Sequence, residues 1–145
     1  MMVKSIEPIL IFAGQAGEAI ALYKKAFDAQ EKVRMLYADA DPKDLTYKEE
    51  YKNYVYHAQL KIGNQIIMIA DDCDNAAGNN MPGQPFLIDL VVTFDSDEAL
   101  KAAYNILSEG GTVTEPLSSP TFCSLCVSLI DKFGGRWQLM SGYEG

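Results

Sequence analysis

Residues 131–140 read DKFGGRWQLM and decide the fold. They predict a tight turn over residues 131–135 and a strand from residue 136 onward, because adjacent glycines favour a turn and the next residues alternate in polarity. A similar turn and strand occur 71 positions earlier, where Gly63-Asn64 precedes residues 65–69. The two hairpins predict that the chain contains one unit twice.

Both halves of the chain have the same predicted order of elements, which is a strand, a helix and three further strands. The first half has predicted strands over residues 5–12, 30–38, 54–62 and 65–70, and a helix over residues 16–27. The second half has predicted strands over residues 86–94, 112–117, 122–130 and 136–141, and a helix over residues 95–109. The predicted fold class is therefore α+β, with two βαβββ modules in a pseudo-twofold repeat.

The predicted modules occupy residues 1–72 and 86–145, and the turn-rich residues 73–85 form a linker. The helices also repeat, since Glu18-Ala19-Ile20 lies 80 positions before Glu98-Ala99-Leu100. Neither half is expected to be stable alone, because each leaves one face of its sheet uncovered. We therefore expect a single domain over residues 1–145.

The sequence marks the start of the first predicted helix less clearly than the start and end of the second. Gly14-Gln15 offers no good capping side chain, whereas Asp95 can accept from a first-turn amide while Glu98 reaches back. Gly110-Gly111 is expected to stop the second helix. The polar residues 39–53 are long for a connection inside a compact domain, so they form either a binding loop or a mobile surface loop.

Composition excludes several classes of partner. The net charge of −8 disfavours nucleic acid, because an acidic surface repels the phosphate backbone. No apolar run approaches the ~20 residues of a membrane helix, and the first residues do not resemble a signal peptide. Three cysteines, an odd number, argue against a disulfide framework and favour a cytoplasmic location.

The chain resembles the vicinal oxygen chelate superfamily, which includes glyoxalase I, extradiol dioxygenases and bleomycin-resistance proteins. It is most similar to the PhnB-like branch, some members of which carry a demethylubiquinone methyltransferase label. The resemblance implies a cupped mixed sheet, glyoxalase-like in form, that binds a small organic ligand and is completed in a homodimer. No glycine-rich, cofactor-cradling loop supports methyl transfer. The residues that carry the resemblance are residues 8–12, Glu18-Ala19-Ile20, Tyr23, Phe27, residues 57–63, residues 131–134 and Trp137.

The resemblance also implies metal ligands on the first and last strand of each module. In this sequence those positions hold Pro8 (or Glu7, one residue earlier), Ile67, Asp89 and Gln138, where metal-using relatives carry glutamate at the last position. A divalent metal needs three or four His, Asp, Glu or Cys ligands. Only Asp89 is a sound ligand, with Gln138 and Glu7 as weak candidates, so we predict no cofactor.

Alternation along the strands favours a polar ligand-binding face. Arg136, Gln138 and Met140 point to one side of the last strand, and Asp89 needs a partner, for which Arg136 is the candidate. That pair is either structural or part of a binding site. His57 is the only histidine and is either a general base or a hydrogen-bonded structural residue.

Cysteine and tyrosine residues form two further patterns. Cys123 and Cys126 form a C-x-x-C pair, but inside a predicted strand they face opposite sides, so redox use is not expected. The aromatic residues near the long loop either stack on a ligand, form a dimer interface or cover the core. They are Tyr37, Tyr47, Tyr51, Tyr54 and Tyr56.

These patterns favour a cytoplasmic, PhnB-like protein that binds a small organic molecule without a complete metal site. Asp89, Arg136, Gln138, His57 and Glu7 are the candidate ligand-binding residues. Two alternatives remain, a metal-dependent lyase or dioxygenase and a protein that sequesters a drug or metabolite. Whether the chain is an enzyme, and on which substrate, does not follow from its sequence.

Overall fold

A computed structural model describes residues 2–72 and 87–143. The chain divides into two compact units, Met1–Gly83 and Gln84–Gly145. The predicted linker, residues 73–85, lies outside the described residues. The two units separate near the predicted module boundary, and the expectation of a single domain stays a prediction.

The first unit contains four strands and one α-helix within its described residues. Its sheet has the order β1-β4-β3-β2, with β1 parallel to β4 and the other neighbours antiparallel. Two 3₁₀ helices, Tyr37–Asp39 and Glu49–Tyr51, lie between β2 and β3. The elements are β1 Ile9–Phe12, α1 Ala16–Phe27, β2 Gln30–Leu36, β3 Val55–Ile62 and β4 Gln65–Asp71.

The second unit repeats this order over its described residues. Its sheet has the order β5-β8-β7-β6, again with the first pair parallel and the others antiparallel. The elements are β5 Leu90–Phe94, α2 Asp97–Leu107, β6 Thr112–Ser118, β7 Leu125–Ile130 and β8 Arg136–Ser141. The prediction of two βαβββ modules with an α+β fold is therefore confirmed.

Each unit has its own core between the helix and one face of the sheet. In the first, Ile20 and Tyr23 of α1 are fully buried with Leu60 and Ile69. In the second, Leu100 and Leu107 of α2 are buried with Trp137, Leu129 and Leu139. The spacing of 80 between Ile20 and Leu100 matches these buried positions. The other face of each sheet is called its far face below.

The strand boundaries differ from the predictions mainly at the start of each unit. β1 begins at Ile9 and β5 at Leu90, although strands were predicted from residues 5 and 86. The earlier starts were predicted only because the residues there are apolar. Ile6 and Leu87 are exposed, however, and lie outside the hydrogen-bonded strands. β7 begins at Leu125 instead of residue 122, which changes the position of Cys123.

The helix predictions were right for α1 and partly wrong for α2. α1 spans the predicted residues, and its first residue is preceded by Gln15, whose side chain makes no capping bond. The cap of α2 is Ser96 instead of Asp95, because the Ser96 hydroxyl accepts the N–H of Ala99 at 3.1 Å. α2 ends at Leu107, two residues before the predicted end.

Candidate functional site

The far face of the second sheet carries most of the polar residues singled out in the sequence. On the parallel strands, Val91 lies beside Gln138 and Thr93 beside Met140. On the antiparallel strands, Ser128 lies opposite Gln138 and Cys126 opposite Met140. Val91 is half exposed, whereas Cys126, Ser128 and Met140 are buried. This face therefore combines apolar surface with polar groups.

The predicted contact between Asp89 and Arg136 is present at one end of this face. Arg136 Nε donates to Asp89 Oδ1 at 2.8 Å, and about a third of each side chain is exposed (29% and 33%). Asp89 precedes β5 and does not lie in mid-strand as predicted, so water solvates part of the ion pair. An exposed pair of this kind contributes roughly 0–1 kcal/mol to stability. Its main effect is to orient the guanidinium.

Gln138 connects this end of the far face to a group of sulfur atoms. Its Nε2 donates to the Cys126 Sγ, with 3.4 Å between the two atoms. No described residue donates a hydrogen bond to its side-chain oxygen, which is therefore available as an acceptor. The Arg136 Nη atoms likewise make no hydrogen bond within residues 2–72 and 87–143. The two residues offer an acceptor and donors on one face.

Cys123 and Cys126 lie together, so the geometric reason for separating them was wrong. Cys123 is in the bend before β7 and not inside the strand, which lets its side chain turn toward Cys126. The two buried cysteines cluster with Met140, and the Cys123 thiol donates to the Leu125 carbonyl oxygen at 3.4 Å. Burial, followed by the influence of Cys126, raises the pKa of the Cys123 thiol. Sequence reasoning missed this cluster because it extended β7 too far.

His57 and Glu7 belong to the first unit. His57 lies on β3 opposite Met35, half-buried, with its Nε2 3.3 Å from the Gln59 side-chain nitrogen. That contact favours a hydrogen-bonded histidine, and the imidazole has no carboxylate partner among the described residues. Glu7 is exposed and precedes β1. The described contacts do not bring these two residues together.

A buried carboxylate that the sequence did not single out holds the corner between β4 and α1. Asp71 is 6% exposed. Its Oδ1 accepts the N–H groups of Gly14 and Ala16, at 2.8 and 3.0 Å, and its Oδ2 accepts that of Val55 at 2.9 Å. The carboxylate therefore supplies the helix cap that Gln15 does not make. The signal in the sequence is an acidic residue that ends an otherwise apolar strand.

The corresponding corner of the second unit has its carboxylate on the helix. Ser141 occupies the strand position of Asp71, because Phe94 pairs with Ser141 as Phe12 pairs with Asp71. Ser141 and Ser124 donate their hydroxyl groups to Asp97 Oδ1, the latter at 2.8 Å. These two hydrogen bonds, Ser141 first, lower the pKa of Asp97 below its usual value.

The tyrosines near the long loop pack on one another. Tyr37 is 6% exposed, and its hydroxyl donates to the Asp71 carbonyl oxygen at 2.8 Å. Its ring centroid lies 5.8 Å from that of Tyr47, 6.0 Å from Tyr54 and 6.5 Å from Tyr56. Backbone bonds from Tyr37 to Tyr54 and from Ala38 to Lys52 also fix both ends of the loop. Of the three interpretations of these tyrosines, this arrangement favours the one in which they cover the core.

Comparison with known proteins places the chain in a family. A family model described as 3-demethylubiquinone-9 3-methyltransferase matches residues 4–140. The chain belongs to this family. None of the curated proteins that were compared matches it.

Solved structures of the same fold include relatives of this PhnB-like family. The PhnB protein of Bacillus cereus is 27% identical, with a TM-score of 0.75 over 95% of this chain and 99% of that chain. Protein PA1353 of Pseudomonas aeruginosa is 22% identical, with a TM-score of 0.79 over 98% and 100% of the two chains. A glyoxylase/bleomycin resistance protein/dioxygenase domain from Frankia is 16% identical, with a TM-score of 0.66 over 99% and 96%. The last two show the fold alone.

The metal positions implied by this superfamily do not fit a divalent ion here. Ile67 is 5% exposed and lies opposite Leu60 in the core, so its assignment as the counterpart of Gln138 was wrong. By strand register that counterpart is Met68, which lies beside Ile9 as Gln138 lies beside Val91. The first hairpin turn has two residues and the second has five, so counting along the sequence did not align the two final strands. An error of one residue moves a side chain to the opposite face of its strand.

The remaining candidates also fail to form a ligand set. Asp89 is engaged by Arg136, and Gln138 offers only an amide. Among residues 2–72 and 87–143, no group of three His, Cys, Asp or Glu side chains can hold a metal ion. The same residues contain no helix long and apolar enough to cross a membrane.

Proposed function

We propose that this chain is a cytoplasmic binding protein for a small organic molecule, of the vicinal oxygen chelate type, acting as a homodimer without a complete metal site. The observation that carries the proposal is the pair of hydrogen-bonding groups on the far face of the second sheet. Arg136 and Gln138 present unused donors and an unused acceptor there, next to the half-exposed Val91. Ligand sites commonly combine a few placed polar groups with apolar surface.

The geometry favours a ligand with oxygen acceptors and an apolar body. Asp89 fixes the guanidinium through Nε, so its Nη donors can bind a carbonyl or carboxylate oxygen. The Gln138 oxygen can accept from a hydroxyl or amide of the same molecule. Val91 supplies apolar contact beside Gln138. A small organic acid or amide satisfies all three contacts.

Methyl transfer, which the family description names, is not the proposed activity. The loop between β1 and α1 has only three residues, and a Cβ atom at Gly14 would lie 2.9 Å from the Tyr54 ring. The Asp71 carboxylate already accepts the N–H groups of Gly14, in this loop, and of Ala16, the first residue of α1. The corner therefore lacks the open glycine-rich loop that cradles a nucleotide-like cofactor.

Sequestration is a second candidate, and a metal-dependent lyase or dioxygenase is a third. On the far face of the second sheet, the Asp89 carboxylate is paired with the Arg136 guanidinium, which favours binding over proton transfer by that carboxylate. The Frankia structure has bleomycin resistance in its description, and its similarity supports sequestration only through the shared fold. Recovery of a bound ligand unchanged separates sequestration from catalysis.

The test is a titration of methyl-labelled protein with a set of small aromatic carboxylic acids and amides, followed by NMR. The methyl signals of Val91 and Met140 are expected to shift, while those of Ile9 and Met68 on the first sheet stay unchanged. Shifts confined to Ile9 and Met68 would overturn the proposal, as would the absence of any saturable shift.

Variants then test the two polar groups. With the tightest compound from that set, R136M and Q138L are each expected to weaken binding about 10- to 100-fold, the effect of losing one charge-assisted or buried hydrogen bond. Q65L is the matched control, because Gln65 is exposed at the start of β4 and its amide bonds only to the neighbouring backbone. Equal affinities in Q138L and Q65L would contradict the assignment of Gln138.

A further inference from the structure

Three sulfur-bearing side chains meet on the far face of the second sheet. They are Cys123, Cys126 and Met140, called the sulfur cluster below, and each is only 7–8% exposed. Cys126 and Met140 are directly opposite each other on β7 and β8, so their side chains share a face. Cys123 joins the same buried cluster from the bend that precedes β7. Both cysteines are free thiols.

The chemistry of this cluster differs from that of the superfamily's metal positions. Thiolate and thioether sulfurs are soft ligands, which select Cu(I) over hard cations such as Mg²⁺ or Ca²⁺. The cluster provides two thiols and one thioether and contains no oxygen ligand. A three-sulfur set of this type suits a monovalent soft ion of low coordination number.

Gln138 adds an observation that is independent of the cluster itself. Its side-chain N–H points at the Cys126 Sγ, 3.4 Å away. A hydrogen bond to a ligating sulfur becomes charge-assisted when that sulfur is a thiolate, and such outer contacts orient metal ligands. The donor is therefore already placed for a thiolate at Cys126.

We propose that the sulfur cluster binds one Cu(I) ion through the Cys123 and Cys126 thiolates and the Met140 thioether. Each thiol releases its proton to solvent on binding, so Cu⁺ and two thiolates form a complex with a net charge of −1. Copper stays in the +1 state, and no electron is transferred. This site adjoins the proposed organic-ligand site at Gln138. Its ligands Cys123 and Cys126 take no part in the organic-ligand proposal, so either proposal can fail without the other.

The test is an anaerobic titration of the reduced protein with Cu(I) in competition with a chromophoric Cu(I) chelator. We expect one Cu(I) per chain, and an X-ray absorption spectrum of the complex with sulfur ligands only. C123S and C126S are expected to abolish tight binding. M140L, a nearly isosteric change, should keep the fold and weaken binding. Q138L is expected to weaken it about tenfold, the effect of removing an outer-shell contact.

The chain offers a matched control in its third cysteine. C73S removes one thiol from the same protein and is expected to leave stoichiometry and affinity unchanged. Thermal melts without copper identify any variant that has lost its fold, and M140L then carries the test. The proposal is overturned by the absence of stoichiometric binding, by loss of binding in C73S, by unchanged affinity in M140L, or by nitrogen or oxygen ligands in the spectrum.

Discussion

The indole N–H of Trp137 donates a hydrogen bond to the carboxylate of Asp131, with 2.8 Å between Nε1 and Oδ2. The other carboxylate oxygen accepts the N–H groups of Phe133 and Gly135, at 2.8 and 3.0 Å. Asp131 is 3% and Trp137 1% exposed. The turn that joins β7 to β8 is thereby tied to the core under α2.

Replacing Trp137 by phenylalanine tests this link. W137F removes a hydrogen bond to a buried carboxylate and part of a buried ring, so we expect a loss of about 2–4 kcal/mol in the free energy of unfolding. Urea denaturation measures the loss. Y143F is the control, because Tyr143 is exposed and its change should stay within about 0.5 kcal/mol. A W137F loss as small as that of Y143F would show that the link contributes little.

Asp71 should be sensitive to a change that keeps its shape. In D71N the amide oxygen can still accept from Gly14 and Ala16, but the amide N–H₂ then faces the N–H of Val55. Two donors facing each other in a buried corner are expected to cost about 2–4 kcal/mol of unfolding free energy. D44N, at an exposed position, is the control and should change little. Equal effects in the two variants would refute the capping role.

Asp97 predicts a dependence of stability on pH. Its folded-state pKa is lowered by the Ser141 and Ser124 hydroxyl groups, from a reference value of 3.8. A carboxyl group with a lowered pKa stabilises the fold above its unfolded-state pKa, and that contribution is lost as the pH falls through the folded-state value. The melting temperature of D97N should therefore be below that of the wild type at pH 7. The gap should close below about pH 4.

The control for this prediction is S141A, which removes one of the two hydroxyl donors. The pKa of Asp97 should be higher in S141A than in the wild type. As the pH falls, S141A should therefore lose the stabilisation from Asp97 at a higher pH than the wild type does. A difference between D97N and the wild type that is constant from pH 7 to pH 3 would contradict the link to this carboxylate.

Metal content separates the proposed binding function from divalent metal chemistry. Protein purified without chelator is expected to contain no stoichiometric Ni, Zn, Mn or Fe, because Asp89 is paired with Arg136 and Ile67 lies in the core. Elemental analysis checks this. A stoichiometric divalent metal that is lost in D89A would establish a metal site and reject the metal-free function.

A homodimer is predicted from the resemblance to the superfamily and from the tyrosine-rich loop. Light scattering at micromolar concentration is expected to give twice the chain mass of 16.0 kDa. Exposed apolar residues such as Ile9 and Ile11 supply surface that a second copy can cover. A mass of one chain over the whole concentration range would reject the prediction.

The repeat was predictable because hydrophobic periodicity and paired glycines mark it directly. Gly63 and Gly134 both have positive φ, 58° and 92°, which is the conformation that glycine adopts without strain. The register within the repeat was not predictable from those glycines, because the two turns differ in length. Strand starts were also missed, since apolar composition cannot show whether a ladder partner exists.

Part of the candidate site was predictable from the sequence and part was not. The contact between Asp89 and Arg136 follows from the need of a carboxylate for a partner. The sulfur cluster was missed, because one error in the start of β7 placed Cys123 on the wrong side of the strand. Asp71 was missed as a cap, because its partners Gly14 and Ala16 are more than fifty residues away in sequence.

The opposite placement of the carboxylate in the two strand–helix corners makes the halves of this protein non-interchangeable. A hybrid that combined α1 with the last strand of the second unit would join Gly14 and Ala16 to Ser141, with no acid to receive their N–H groups. The reverse hybrid would bring Asp71 and Asp97 to one corner, where two negative charges repel. Each half is thus matched to its own final strand, and we expect a hybrid of the two halves to be destabilised at this corner.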